Sequence, residues 1–108
     1  MDLIRYFEKR LAALPRNAGN ETPVVVIVGH DSPNQDAAAE AAARIGAKVI
    51  LAPDGIRLHE HKRLLNTCRC DCLLYSSGCE GLAYRIKNDG VTCVHHFICL
   101  DPDIYDTI

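Results

Sequence analysis

Five consecutive residues, Val24-Val25-Val26-Ile27-Val28, are all β-branched, and this run constrains the fold more than any other stretch of the chain. Such side chains are stiff in a helix and fit the pleated surface of a strand. A strand with one wet face alternates apolar and polar residues, whereas an unbroken apolar run marks a strand covered on both faces, as in a parallel sheet. Residues 24–28 are therefore expected to form the central strand.

The segments around it alternate in type. Leu3, Ile4, Phe7, Leu11 and Leu14 recur at helical spacing after a capping Asp2, so residues 3–14 read as an amphipathic helix stopped by Pro15. A polar loop, Arg16 to Pro23, leads into the first strand. Past the turn Gly29-His30-Asp31, Ser32 is placed to cap a helix that opens at Pro33 and closes at Gly46. Its alanines, among them Ala38, Ala41 and Ala42, allow close packing on a sheet. Lys48 to Ala52 reads as the second strand, ended by Pro53-Asp54-Gly55, and Ile56 to Asn66 as a helix. Cys72 to Tyr75 reads as the third strand, Glu80 to Lys87 as a helix, Val91 to Phe97 as the fourth strand, and Asp101 to Ile108 as an acidic tail, partly ordered at best.

Strands alternating with helices imply one α/β domain over residues 1–108: a small Rossmann-like parallel sheet of about four strands, with the N-terminal helix (1–15) on one face of a core spanning 24–97. The simplest spatial order is 2-1-3-4. In a doubly wound sheet the ligand crevice lies beyond the carboxyl ends of the strands where the crossovers diverge, here between strands 1 and 3. The loops at that point are Gly29-His30-Asp31-Ser32 and Ser76-Ser77-Gly78-Cys79-Glu80-Gly81. Each opens a helix, whose free N–H groups and positive dipole end favour a phosphate or carboxylate. Gly29, Gly78 and Gly81 would admit a ligand close to the backbone, and Ser32, Ser76 and Ser77 add hydroxyls. Taken singly, these residues serve as turns and caps; their pairing across a switch point is what suggests a site.

Net charge decides among partners. At −2, with 48% hydrophobic and 24% charged residues, the chain lacks the basic footprint of a nucleic-acid binder and the composition of a disordered segment. No window approaches the roughly 18 apolar residues of a membrane span, and the charges within residues 1–14 do not suit a secretion signal. The expected setting is the cytoplasm, where the six cysteines stay reduced. Cys68, Cys70 and Cys72 are spaced Cys-x-Cys-x-Cys, which fits a structural zinc site poorly, and Cys72 and Cys93 fall in expected strands as small buried hydrophobes. Neither a metal nor a cofactor is expected.

The order of motifs resembles the SLOG superfamily, the Rossmann-like group that includes the LOG phosphoribohydrolases and the DNA-processing protein DprA. The stretch His30 to Asp36 with its following alanines, then Val49 to Asp54, then Lys62 to Asn66, then Cys70 to Gly78, is similar to the succession of segments in those domains. The third glycine of the family's Pro-Gly-Gly-x-Gly-Thr loop falls near Glu80, with Gly81 one place late. The resemblance implies binding of a nucleotide or nucleotide-derived ligand, in the manner of a small phage-type sequestering protein. The catalytic Arg and Glu of the phosphoribohydrolases have no secure counterparts here. Two alternatives accompany this reading. One is a nucleoside monophosphate N-glycosidic hydrolase using Glu80 or Asp31 with His30; the other is a protein-interaction domain without a ligand. The two open edges of a four-stranded sheet allow a homo-oligomer in each case.

Overall fold

The computed structural model describes residues 2–14, 19–29, 32–53, 55–88 and 93–101. In chain order the elements are α1 (Leu3–Ala12), β1 (Val24–Gly29), α2 (Pro33–Arg44), β2 (Lys48–Pro53), α3 (Leu58–Cys68), β3 (Cys72–Tyr75), α4 (Glu80–Asn88) and β4 (His96–Cys99). Every strand pair is parallel and the spatial order is β2-β1-β3-β4, the order expected from the sequence.

The β-branched run alternates between two apolar cores. Val25 and Ile27 face α1 and α2, where they meet Phe7, Leu11, Ala38, Ala41, Ala42, Cys72, Leu74 and Ile98. Val26 and Val28 face α3 and α4, among Ala52, Leu65, Leu73, Ala83, Ile86 and Val94. Both faces of β1 are thus dry, which is why the run needs no polar residue. The buried alanines of α2 present no bulk beyond Cβ and let that helix sit close to β1.

Local chemistry sets the helix ends. The Asp2 carboxylate accepts from Arg5 N–H at 3.2 Å, and Ser32 Oγ accepts from Gln35 N–H at 3.1 Å with Pro33 at the first position of α2. Each side chain satisfies an N–H left open by the first helical turn. α3 begins and ends two residues later than its apolar spacing suggests. It stops at Arg69, which adopts a left-handed conformation (φ 54) where glycine is the usual residue.

One strand is displaced from its expected place. β4 covers His96–Cys99 rather than 91–97; Val91 and Thr92 lie outside the described residues. His95 N–H bonds to Asp71 O at 3.0 Å, and the ladder with β3 starts only at Cys72 against His96. Before that point Val94 fills the core beneath α3 and α4, so its apolar character serves packing rather than pairing. Cys93, expected in the strand, precedes it, whereas Cys72 is in β3 and fully buried.

The opposite end of the sheet is tied by a buried carboxylate. Asp71 accepts from Val24 N–H at 2.8 Å and from Asn20 Nδ2 at 3.0 Å, fixing the start of β1 beside the start of β3. Among the described residues no helix is long and apolar enough to cross a membrane, and no group of three or more His, Cys, Asp or Glu side chains could hold a metal ion.

Candidate functional site

The two loops expected to frame a crevice, at the carboxyl ends of β1 and β3, come from residues far apart in the chain. β1 ends at Gly29 and β3 at Tyr75, and the ladder pairs Val28 with Tyr75, so the next residues, Gly29 and Ser76, come together. Gly29 has φ +151, and a β-carbon there would collide with Ser76 Oγ and stand 2.7 Å from Ser76 Cβ. Only glycine permits this approach. Ser76 N–H completes the ladder by donating to Val28 O at 3.0 Å. The Ser76 side chain is only 3% exposed, and its Oγ has no hydrogen-bond partner among the described residues. On the α2 side, Gln35 Oε1 is buried in the same unpartnered state.

The loop after β3 turns tightly. Cys79 N–H donates to Ser76 O at 2.9 Å, and Ala83 N–H to Cys79 O at 3.1 Å, which starts α4. Gly78 takes φ +97, a turn position that favours glycine. Ser77, Gly78, Glu80 and Gly81 are exposed and Cys79 is half-buried. Gly81 lies inside α4 with open space around its Cα, so no close contact calls for glycine there. His30 and Asp31 lie outside the described residues, and so does any pairing of Asp31 with Glu80.

Carboxylates of the chain itself already engage the loop N–H groups. Ser77 N–H donates to Asp101 Oδ2 at 2.7 Å, and Gly78 N–H to Glu80 Oε2 at 2.9 Å. The other oxygen of Asp101 accepts from Asn34 Nδ2 at 2.9 Å, and the same amide also donates to Leu100 O at 2.9 Å. Asn34 lies in the first turn of α2 and Ser77 just before α4, so one carboxylate reaches both helix starts. Charge-assisted bonds of this kind are the strong ones, and a negative group belongs where two positive dipole ends converge.

Asp101 and Asn34 meet at these loops without having been singled out in the sequence. Asp101 is the correction of most consequence. As the first residue of the acidic tail it was given no role, whereas it is half-buried and held by Ser77 N–H. It stands two residues beyond β4 at the carboxyl edge of the sheet, where ligand-facing residues collect.

The architecture is that of a doubly wound α/β domain. No family model and no curated protein matches the sequence, but solved structures share the fold. The chain is similar to a Mycobacterium tuberculosis fatty acyl CoA synthetase, with TM-score 0.79 and 17% identity over 96% of this chain and 20% of that one. It is similar to the A-PCP didomain of carboxylic acid reductase from Segniliparus rugosus in complex with AMP, with TM-score 0.79 and 12% identity over 93% of this chain and 14% of that one. The anthranilate CoA ligase AuaEII in complex with anthranoyl-AMP gives TM-score 0.73 and 15% identity over 97% of this chain and 20% of that one. At these identities the likeness is one of fold, and the chain spans a fifth or less of each of these three proteins.

Proposed function

We propose that this protein binds a nucleotide-derived ligand at the carboxyl ends of β1 and β3, with the ligand's phosphate taking the place held by Asp101. The observation that carries the reading is the bridging carboxylate: an anion bound by both Asn34 Nδ2 and Ser77 N–H occupies the switch point. A phosphate offers the same oxygen acceptors with more charge. Ser76 Oγ, buried with no partner among the described residues, supplies an additional donor for a ligand oxygen. The AMP and anthranoyl-AMP named with two of the structural neighbours support a nucleotide-derived ligand. So does the SLOG-like succession, whose basic segment Lys62 to Asn66 lies on α3 and whose last segment forms β3 and its loop.

The hydrolytic alternative rests on Glu80, whose carboxylate is engaged by Gly78 N–H, and on His30 and Asp31; no specific observation favours it. The cytoplasm remains the proposed compartment and reversible sequestration the proposed mode of action.

Thermal scanning with a panel of nucleotides and inorganic phosphate tests the proposal. A ligand at 100 times its dissociation constant stabilises the fold by about 2.7 kcal/mol, a melting shift on the order of 10 °C for a domain of this size. Ser76→Ala should fold as well as the parent and show a smaller shift. No shift with any compound, or an undiminished shift in Ser76→Ala, would sink the assignment.

A further inference from the structure

We propose that a cleft between α4 and the strands β3 and β4 holds the planar ring of that ligand, an extension that rests on the crevice reading above. The cleft measures about 320 Å³ and is lined by Tyr75, Glu80, Ala83, Tyr84, Lys87 and Phe97. Four of these residues follow the i, i+3, i+4, i+7 spacing of a single helix face on α4. Tyr75 closes β3 and Phe97 lies in β4, so the cleft is roofed by one helix and floored by two strands.

Continuity links it to the anion crevice. Tyr75 directly precedes Ser76, and Glu80 reaches back to Gly78 N–H. The two spaces therefore share the turn from β3 into α4. A molecule with its phosphate at Ser77 and Asn34 and its ring against Tyr75 would pass over the end of β3, from the face covered by α2 to the face covered by α4.

The lining specifies a flat, unsaturated ring. Tyr75, Tyr84 and Phe97 put three aromatic rings in the lining, and aromatic side chains stack on any base with little regard to its identity. Tyr84 is 70% exposed, a large ring left in water at the mouth of the cleft, where a stacked partner would cover it. Lys87 stands about 10 Å along the helix from Glu80 and carries only donors, matched to ring nitrogens or carbonyl oxygens that accept. The volume lies within the range for ligand pockets, roughly 300–1,000 Å³, and has room for a base. The ligand class is accordingly a nucleoside monophosphate or a derivative of one, its base over Tyr84 and its phosphate in the crevice.

Calorimetric titration of the intact protein with AMP, ribose 5-phosphate and adenosine tests this, using the parent, Tyr84→Ala and Tyr84→Phe. The exposed position of Tyr84 keeps both variants folded, which circular dichroism verifies. AMP should bind tighter than ribose 5-phosphate by on the order of tenfold, the worth of one stacked base. The gap should vanish in Tyr84→Ala and persist in Tyr84→Phe. Equal affinities for AMP and ribose 5-phosphate, or AMP binding unchanged in Tyr84→Ala, would overturn the ring cleft and leave the crevice reading intact. Adenosine binding as tightly as AMP and losing affinity in Tyr84→Ala would uphold the cleft and overturn the crevice. Binding of none of the three overturns both.

Discussion

Ser76 occupies the space that a β-carbon on Gly29 would need, so the two strands flanking the candidate site meet without any side chain between them on the β1 side. Gly29→Ala should therefore combine a clash with a φ that L-residues rarely adopt. The expected cost is roughly 2–4 kcal/mol, read as a lower urea midpoint with unchanged slope. Ser76→Gly in the same chain should recover part of the loss, because the pair is coupled. Additive losses would show that the contact is not the source.

The Asp101 carboxylate bridges Ser77 N–H and Asn34 Nδ2. Asp101→Asn keeps the shape and removes the charge, and should lower stability by about 1–2 kcal/mol. With the internal anion gone, inorganic phosphate should stabilise the variant more than the parent at equal concentration. An equal or smaller phosphate shift would show that Asp101 does not compete for the anion position.

Val26 is fully buried between β2 and β3 and faces the core formed with α3 and α4. Val26→Asp would put an unpaired charge there, and a cost above about 4 kcal/mol is expected, enough to unfold a marginal domain. Circular dichroism of the purified variant should show the loss of structure. A cooperative native-like melt would contradict the placement of β1 at the centre of the sheet.

Burial pushes the thiol of Cys72 up from its usual 9.0 to about 12, and burial raises Cys70 still further. The folded state thus holds these protons at a pH where the unfolded chain has lost them. Their contribution to stability is fully present below about pH 9 and declines as pH rises from there toward 12, by roughly 1 kcal/mol per pH unit for each thiol. Denaturant midpoints measured from pH 7 to 11 should be level with respect to these groups up to about 9 and fall beyond it. Cys72→Ala should flatten the alkaline slope, and an unchanged slope would assign it to other groups.

No disulfide joins any of Cys68, Cys70, Cys72, Cys79, Cys93 and Cys99. A thiol reagent should count six after denaturation, with Cys70 and Cys72 unreactive in the native protein because both are fully buried. Fewer than six in protein prepared without oxidant would indicate disulfides.

Most of the architecture was legible because β1 carries its own argument: a strand with two dry faces must lie inside a sheet, and Ser32-Pro33 writes the start of α2 in local chemistry. β4 was misread because Val91 to Phe97 is as apolar as a strand, while the point where pairing begins depends on Asp71 O, which is distant in sequence. The end of α3 at Arg69 went unread for a related reason, since a left-handed arginine carries no mark in the sequence. In the two loops, the positive φ of Gly29 and Gly78 agrees with the turns read there from the sequence. The occupation of the Ser77 and Gly78 N–H groups was not legible, because the Ser77 partner is a carboxylate from the far end of β4.

The β1–β3 ladder has a kinetic consequence. It joins a β1-α2-β2 unit to a β3-α4-β4 unit and pairs Val25 with Cys72, a far longer chain separation than either internal ladder spans. Loop closure makes such a contact the slow one to form. The crevice lies on this seam, so a molecule bound there bridges the two units after they have docked. It would act on the rate of unfolding rather than the rate of folding, and the protein's lifetime against unfolding would depend on whether the crevice is filled.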